Sequence, residues 1–166
     1  MEFPQDPDRQ GRPGDPRVRP AHRAARRRGD RRDREGALNT EAISRSLELV
    51  AERVGDPAPL VYARLFAQHP EVEALFVRDV SGAVRGEMLA VTIQTLLDLA
   101  EDGPMGVHMI AAERVNHDSF GTPPEVFARF YPLLAETFRE ILGDDWTPEI
   151  DAAWTELLAK VEAVAR

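Results

Sequence analysis

The sequence predicts an all-α fold of about seven helices of unequal length in a chain of 166 residues. Apolar residues recur at spacings of three and four after Asn39, and no stretch alternates apolar and polar residues for long enough to form a strand. Proline and glycine interrupt this pattern at short intervals. Such breaks favour short helices that cross near 50° and leave a pocket between layers, rather than an up-and-down bundle of long helices.

The composition restricts the class of protein. Apolar residues make up 43% of the chain, which is enough for one packed core. No apolar run approaches the roughly 20 residues needed to cross a bilayer. The lack of cysteine excludes disulfides, thiolate metal sites and thiol catalysis. The N-terminus has no apolar signal-peptide core, so we expect a cytoplasmic protein without a membrane partner.

The charge divides the chain into two regions. Residues 1–36 hold 11 Arg and 7 acidic residues, whereas residues 37–166 hold 10 basic and 22 acidic residues. Before Leu38 only Met1, Phe3 and Val18 are sizeable apolar residues, so we predict a disordered Arg/Pro-rich extension over 1–38 and one domain over 39–166. The extension is either a basic arm or a functionless segment, for instance from a misassigned start codon; the interspersed acids favour the second. The acidic domain should repel nucleic acid.

Capping and breaking residues place the first three helices. Asn39 or Thr40 is expected to cap the first helix, which ends at Val54 before a Gly-Asp-Pro break. Asp56 is expected to cap the second helix, with the following proline in its first position. The segment His69-Pro70 ends that helix and begins a short third one that extends to residue 76, because proline lacks a donor and fixes φ.

The later helices follow from the same signals. After a connector over 77–83, a long helix is predicted over about 84–101. A helix beginning near Met105 ends at His117, and the last helix begins at Thr147-Pro148. On the residues alone, a lone histidine at a helix end is more often ordinary surface or core than a ligand.

A sharp turn separates the helix that ends at His117 from the next one. Gly121 permits a backbone bend that residues with a Cβ resist. Thr122 is expected to cap the next helix, Pro123 to take its first position, and Glu125 to complete a Thr-x-x-Glu capping box. The same spacing of three and four then continues to residue 142.

Two blocks of residues, beginning about 55 positions apart, carry a family resemblance. The first contains Tyr62, Pro70 and Phe76, and the second is the stretch 117–127. In this order they resemble the globins, specifically the bacterial single-domain type that is similar to the haem domain of flavohaemoglobins. The resemblance covers about residues 42–163.

The resemblance implies a globin fold of about seven helices that encloses a haem b pocket. His117 would be the iron ligand, and Tyr62 would face the bound gas, unless its hydroxyl is simply bonded to a carbonyl in the core. The residues that would contact the haem are Phe76, Leu89, Ile110, Phe120 and Phe127, with Leu89 forming a wall of the gas site. Phe76 could equally be ordinary core.

The implied function is reversible binding of O2, NO or CO. Oxidation of NO to nitrate would need a separate reductase, because the sequence shows no flavin or nicotinamide domain. The alternatives are a globin-type haem or redox sensor or interaction domain without catalysis, and a haemless structural protein. A monomer or homodimer is expected.

Two residues depart from the family's pattern. Arg85 falls where the family usually has Gln or His; it would swing inward to the ligand, pair with a haem propionate, or lie in solvent. Glu113 lies four residues before His117, so the two share a helix face. Its carboxylate either increases the electron density on the imidazole or leans out of the pocket.

Overall fold

The computed structural model describes residues 39–165, which form seven α-helices and contain no strand. The predicted all-α class is confirmed for this part of the chain. The predicted extension over 1–38 lies outside the described residues. The described part of helix α1 covers 39–54, and the others are α2 (Ala58–Gln68), α3 (Pro70–Glu73), α4 (Ala83–Ala100), α5 (Pro104–Ser119), α6 (Pro124–Leu142) and α7 (Pro148–Ala165). Single 3-10 turns follow α3 and α6, at Ala74–Phe76 and Gly143–Asp145.

The predicted cap of α1 is wrong, because Asn39 and Thr40 already lie within the helix. The hydroxyl of Thr40 donates instead to the carbonyl oxygen of Ala100 at 2.9 Å, and so satisfies a carbonyl at the end of α4. The cap of α2 is shifted by one position: Asp56 accepts the amide of Ala58 at 2.9 Å, and the intervening proline precedes the helix.

The turn after α5 is a Schellman motif centred on Gly121, whose φ of +86° lies in the left-handed region. The amide of Thr122 donates to the carbonyl of His117 at 2.9 Å, and the amide of Gly121 donates to that of Asp118 at 3.0 Å. The predicted capping box is wrong, because α6 begins one residue later than expected, at Pro124. Thr122 therefore contributes its backbone amide to the end of α5, and its side chain does not cap α6.

The core lies between helices that are distant in sequence. Helix α4 packs against α5 and also contacts α2 and α7, while α6 contacts α2, α5 and α7. Helix α1 joins this core through α7, where the indole N–H of Trp154 donates to Ser46 Oγ at 2.9 Å. Both side chains are buried. Among residues 39–165, no helix is long and apolar enough to cross a membrane.

A close contact between α4 and α5 sets the position of α5. A Cβ on Gly106 would lie 2.7 Å from the carbonyl oxygen of Thr95, so only glycine permits this approach. The carboxylate of Asp98 on α4 accepts the amide of Gly106 at 2.6 Å. The start of α5 is thus fixed to α4, and the C-terminal end of the same helix carries His117.

Candidate functional site

A largely apolar cavity of about 240 Å³ lies where α2, α4, α5 and α6 meet. Of the residues predicted to bind a cofactor or ligand, the cavity brings together Tyr62, Phe76, Ile110, His117 and Phe127. These side chains come from α2, the turn after α3, α5 and α6. Residues far apart in sequence therefore meet around one cavity.

His117 lines this cavity, and one of its ring nitrogens has a defined hydrogen-bond partner. Its Nδ1 lies 2.8 Å from the backbone carbonyl oxygen of Glu113, one turn earlier in α5. Because a carbonyl oxygen only accepts, Nδ1 is the donor, and in the neutral imidazole Nε2 then has the free lone pair. The ring packs against Phe127, with 5.1 Å between ring centroids. A neutral imidazole with a fixed tautomer is a good metal ligand.

The carboxylate of Glu113 lies at the rim of the cavity beside this imidazole. Its Oε2 is 3.5 Å from His117 Nδ1, which is farther than the carbonyl bond of the same residue. Its Oε1 lies 3.4 Å from the side-chain amide nitrogen, Nδ2, of Asn116, and the side chain of Glu113 is 37% exposed. Glu113 therefore remains partly solvated while contacting the imidazole. This position lies between the two that the sequence suggested, in which the carboxylate either acts on the imidazole or leans out of the pocket.

Tyr62 is buried on the α2 wall of the cavity, at 3% exposure. Its ring contacts Phe66, Phe76 and Phe130, with centroids 5.4–6.0 Å away. Among the described residues, none forms a hydrogen bond with its hydroxyl, so the predicted alternative of a carbonyl-bonded tyrosine is not observed. Burial raises the pKa of Tyr62 well above its ordinary value, so the hydroxyl stays protonated and can donate.

Arg85, for which the sequence left a position at the ligand, at a haem propionate or in solvent, does not line the cavity. Its Nε donates to Asp79 Oδ2 at 2.9 Å, and its Nη2 donates to the carbonyl oxygen of the same residue at 3.1 Å. Burial alone would raise the pKa of Asp79, but hydrogen bonds from the Arg85 and Val84 amides and from the guanidinium outweigh it and hold that pKa below its ordinary value. Arg85 therefore joins the start of α4 to the preceding connector. This contact with Asp79 was not among the positions that the sequence suggested.

Two other predicted contacts also lie elsewhere. Leu89 is buried at 2% exposure but does not line the cavity; the α4 wall is formed by Met88, Val91, Thr92 and Thr95. Phe120 is 77% exposed in the turn after α5. The register of α4 about its axis explains the first difference; in the second, Phe120 is the capping residue after α5 and its side chain lies in solvent, whereas Thr122 beyond the turn lines the cavity.

The sequence analysis missed Tyr131 and Glu87 as cavity residues. Tyr131 is 5% exposed, and its ring meets Phe127 edge to face at 5.7 Å. Burial, and secondarily the charge of Glu113, raise its pKa well above the ordinary value. Its position four residues after Phe127 on α6, hence on the same face, was the signal that could have identified it.

Within residues 39–165, no three His, Asp or Glu side chains converge in the manner of a directly bound metal ion. The candidate metal ligand is thus a single imidazole over an apolar cavity. A model of the family described as Globin matches residues 60–165, which is more than half of the chain. The chain belongs to the globin family. No match was found among curated proteins.

The site chemistry of this globin fits haem, the cofactor that its family typically binds. The match runs from α2 to α7, and so includes every wall of the cavity. His117 offers an unprotonated Nε2, and aromatic and aliphatic side chains supply the apolar surroundings that a macrocycle requires. Tyr62 lies on a different wall from His117, so the hydroxyl and the imidazole do not compete for one position.

Proposed function

We propose that this globin holds haem b through His117 and reversibly binds O2 or NO beside Tyr62. The observation that carries the proposal is the bond from His117 Nδ1 to the carbonyl of Glu113, which leaves Nε2 of the neutral imidazole as the available ligand atom of a residue that lines the cavity. Haem held by His117 would supply an iron atom to which a diatomic gas can bind.

The other residues of the cavity have separate tasks in this proposal. Phe76, Ile110 and Phe127 pack against the macrocycle and exclude water from it. Tyr62 donates its free hydroxyl to the polarised gas ligand, and its aromatic neighbours hold the ring in place. A hydrogen bond of this kind contributes roughly 1–3 kcal/mol.

Oxidation of NO is the reaction that we propose for the O2-loaded protein. One NO and one O2, with one electron, give one nitrate ion, so each turnover needs one electron from a reductase. Tyr62 favours this reaction by slowing the loss of O2 before NO arrives. Stopped-flow mixing of the O2-loaded protein with NO should show rapid loss of NO and formation of one equivalent of nitrate.

The first test is the absorbance spectrum after reconstitution with haem. The wild type should show a Soret band that shifts with CO, and His117→Ala should lose it and regain it with added imidazole. His108→Ala is the matched control, since His108 lies on the same helix and also bonds to the carbonyl four residues earlier, yet is exposed. Absence of a Soret band in the wild type, or an unchanged spectrum in His117→Ala, would contradict the proposal.

A further inference from the structure

The charged side chains that line the cavity are both acidic. Glu87 comes from α4 and Glu113 from α5, and no Lys or Arg is among the described residues that line the cavity. Haem carries two propionate carboxylates on one edge of its ring. A cavity of this kind therefore brings like charges together if it takes haem.

The negative charge of Glu87 is not neutralised by any described residue. It is exposed at the cavity rim, and no described residue forms an ion pair or hydrogen bond with it. Glu113 is partly exposed, and it has only weak contacts, with Asn116 at 3.4 Å and with the imidazole at 3.5 Å. Neither carboxylate is neutralised by a cation.

The described cations either form ion pairs with other carboxylates or lie outside the cavity lining. Among residues 39–165, only Arg78 and Arg114 form no ion pair. Neither of them lines the cavity. Arg85, the cation expected near the ligand from the sequence, is held by Asp79 through its Nε and Nη2. The rim thus keeps its negative charge.

We propose that Glu87 and Glu113 form an acidic rim that repels the haem propionates and makes haem a readily exchanged ligand of this globin. The inference rests on the proposed function, because it concerns how firmly the cavity holds haem rather than whether it binds. The bond to His117 and the apolar contacts favour binding, while the rim opposes it. Because the opposing part is electrostatic and lies near solvent, added salt should weaken it.

The experiment measures the rate at which haem leaves the reconstituted, CO-bound protein for an excess of an acceptor apoglobin. In the wild type, this rate should fall when NaCl is raised from 20 to 500 mM. Glu87→Gln should release haem about fivefold more slowly at low salt, a factor that corresponds to about 1 kcal/mol, the Coulomb energy of two unit charges roughly 4 Å apart in water. Glu87→Lys should slow release further and reverse the direction of the salt effect.

The matched control is Glu101→Gln, which removes the same charge at the other end of α4. Its position 14 residues later corresponds to roughly 21 Å along the helix, beyond the Debye length of about 8 Å at physiological salt. At that salt, where Glu87→Gln is measured beside it, Glu101→Gln should leave the release rate unchanged within about twofold. Glu113 is not used as the test position, since its substitution would also alter the imidazole it contacts.

The outcomes separate this inference from the proposed function. If the wild type forms no Soret band, the proposed function fails and the inference fails with it. If haem binds but Glu87→Gln and Glu87→Lys release it at the wild-type rate, the acidic rim is refuted while haem binding stands. An equal effect of Glu101→Gln would also refute the rim, since the effect would then follow from net charge alone.

Discussion

Replacing Tyr62 with phenylalanine tests the ligand side of the cavity with little disturbance to the fold. The hydroxyl forms no bond to any described residue, and the ring contacts with Phe66, Phe76 and Phe130 are kept. The free energy of unfolding of the haem-free protein should therefore stay within about 0.5 kcal/mol of wild type. The whole hydrogen bond is available to the gas, so its loss of roughly 1–3 kcal/mol should speed O2 release about 5- to 150-fold.

The assay is stopped-flow displacement of O2 by excess CO. Tyr131→Phe is the matched control, because it removes the same atom from the other buried tyrosine of the cavity, on α6. Its effect on O2 release should be below about twofold. An unchanged rate in Tyr62→Phe, or an equal increase in Tyr131→Phe, would remove Tyr62 from the role of donor. A large loss of stability in Tyr62→Phe would mean that its hydroxyl serves the core.

Three further predictions concern the framework, and urea unfolding checks each of them. Gly106→Ala should destabilise by about 1–3 kcal/mol and weaken haem binding, because the new Cβ meets the α4 backbone; Gly86→Ala, with nothing within 4 Å, should stabilise by about 0.5–1 kcal/mol. Asp79→Asn should destabilise at neutral pH; since folding lowers the pKa of Asp79, the difference from wild type should begin to shrink as the pH falls to the ordinary value of 3.8 and vanish only below the lower pKa of the folded state. Ser46→Ala should lower the free energy of unfolding by about 1–3 kcal/mol, because the buried indole N–H of Trp154 loses its acceptor. The Soret band should stay unchanged. A smaller loss of unfolding free energy would mean that water replaces the serine hydroxyl.

The order and number of the helices could be predicted because their ends are local. Proline and glycine set the breaks before α3 and after α5, and these lie at Pro70 and Gly121 as expected. The cap of α6 could not be placed correctly, since two consecutive prolines offer two alternative first positions. The backbone amide of Thr122 is used by the Schellman turn, a three-dimensional condition that no capping pattern contains.

The site was less predictable than the fold, because lining a cavity depends on helix rotation and on partners elsewhere in the chain. Leu89 and Met88 are adjacent in α4, yet Met88 lines the cavity and Leu89 does not. Arg85 is held by Asp79, six residues earlier across the connector, through several simultaneous bonds. The spacing of residues in the sequence indicates neither which face of α4 lines the cavity nor the contact between Arg85 and Asp79. The positions of Tyr62 and His117 in the cavity agree with the sequence analysis, whereas their roles remain predictions.

The bond between His117 Nδ1 and the carbonyl of Glu113 has a consequence for how this protein can vary. Its acceptor is a main-chain atom of the same helix, and such an atom is present whichever side chain occupies position 113. Substitutions there can change the charge beside the ring, but they leave Nδ1 as the donor to the main chain as long as the helix persists. Mutations at position 113 can therefore change gradually how strongly the imidazole would bind a metal, while every intermediate variant keeps the hydrogen bond that orients the ring.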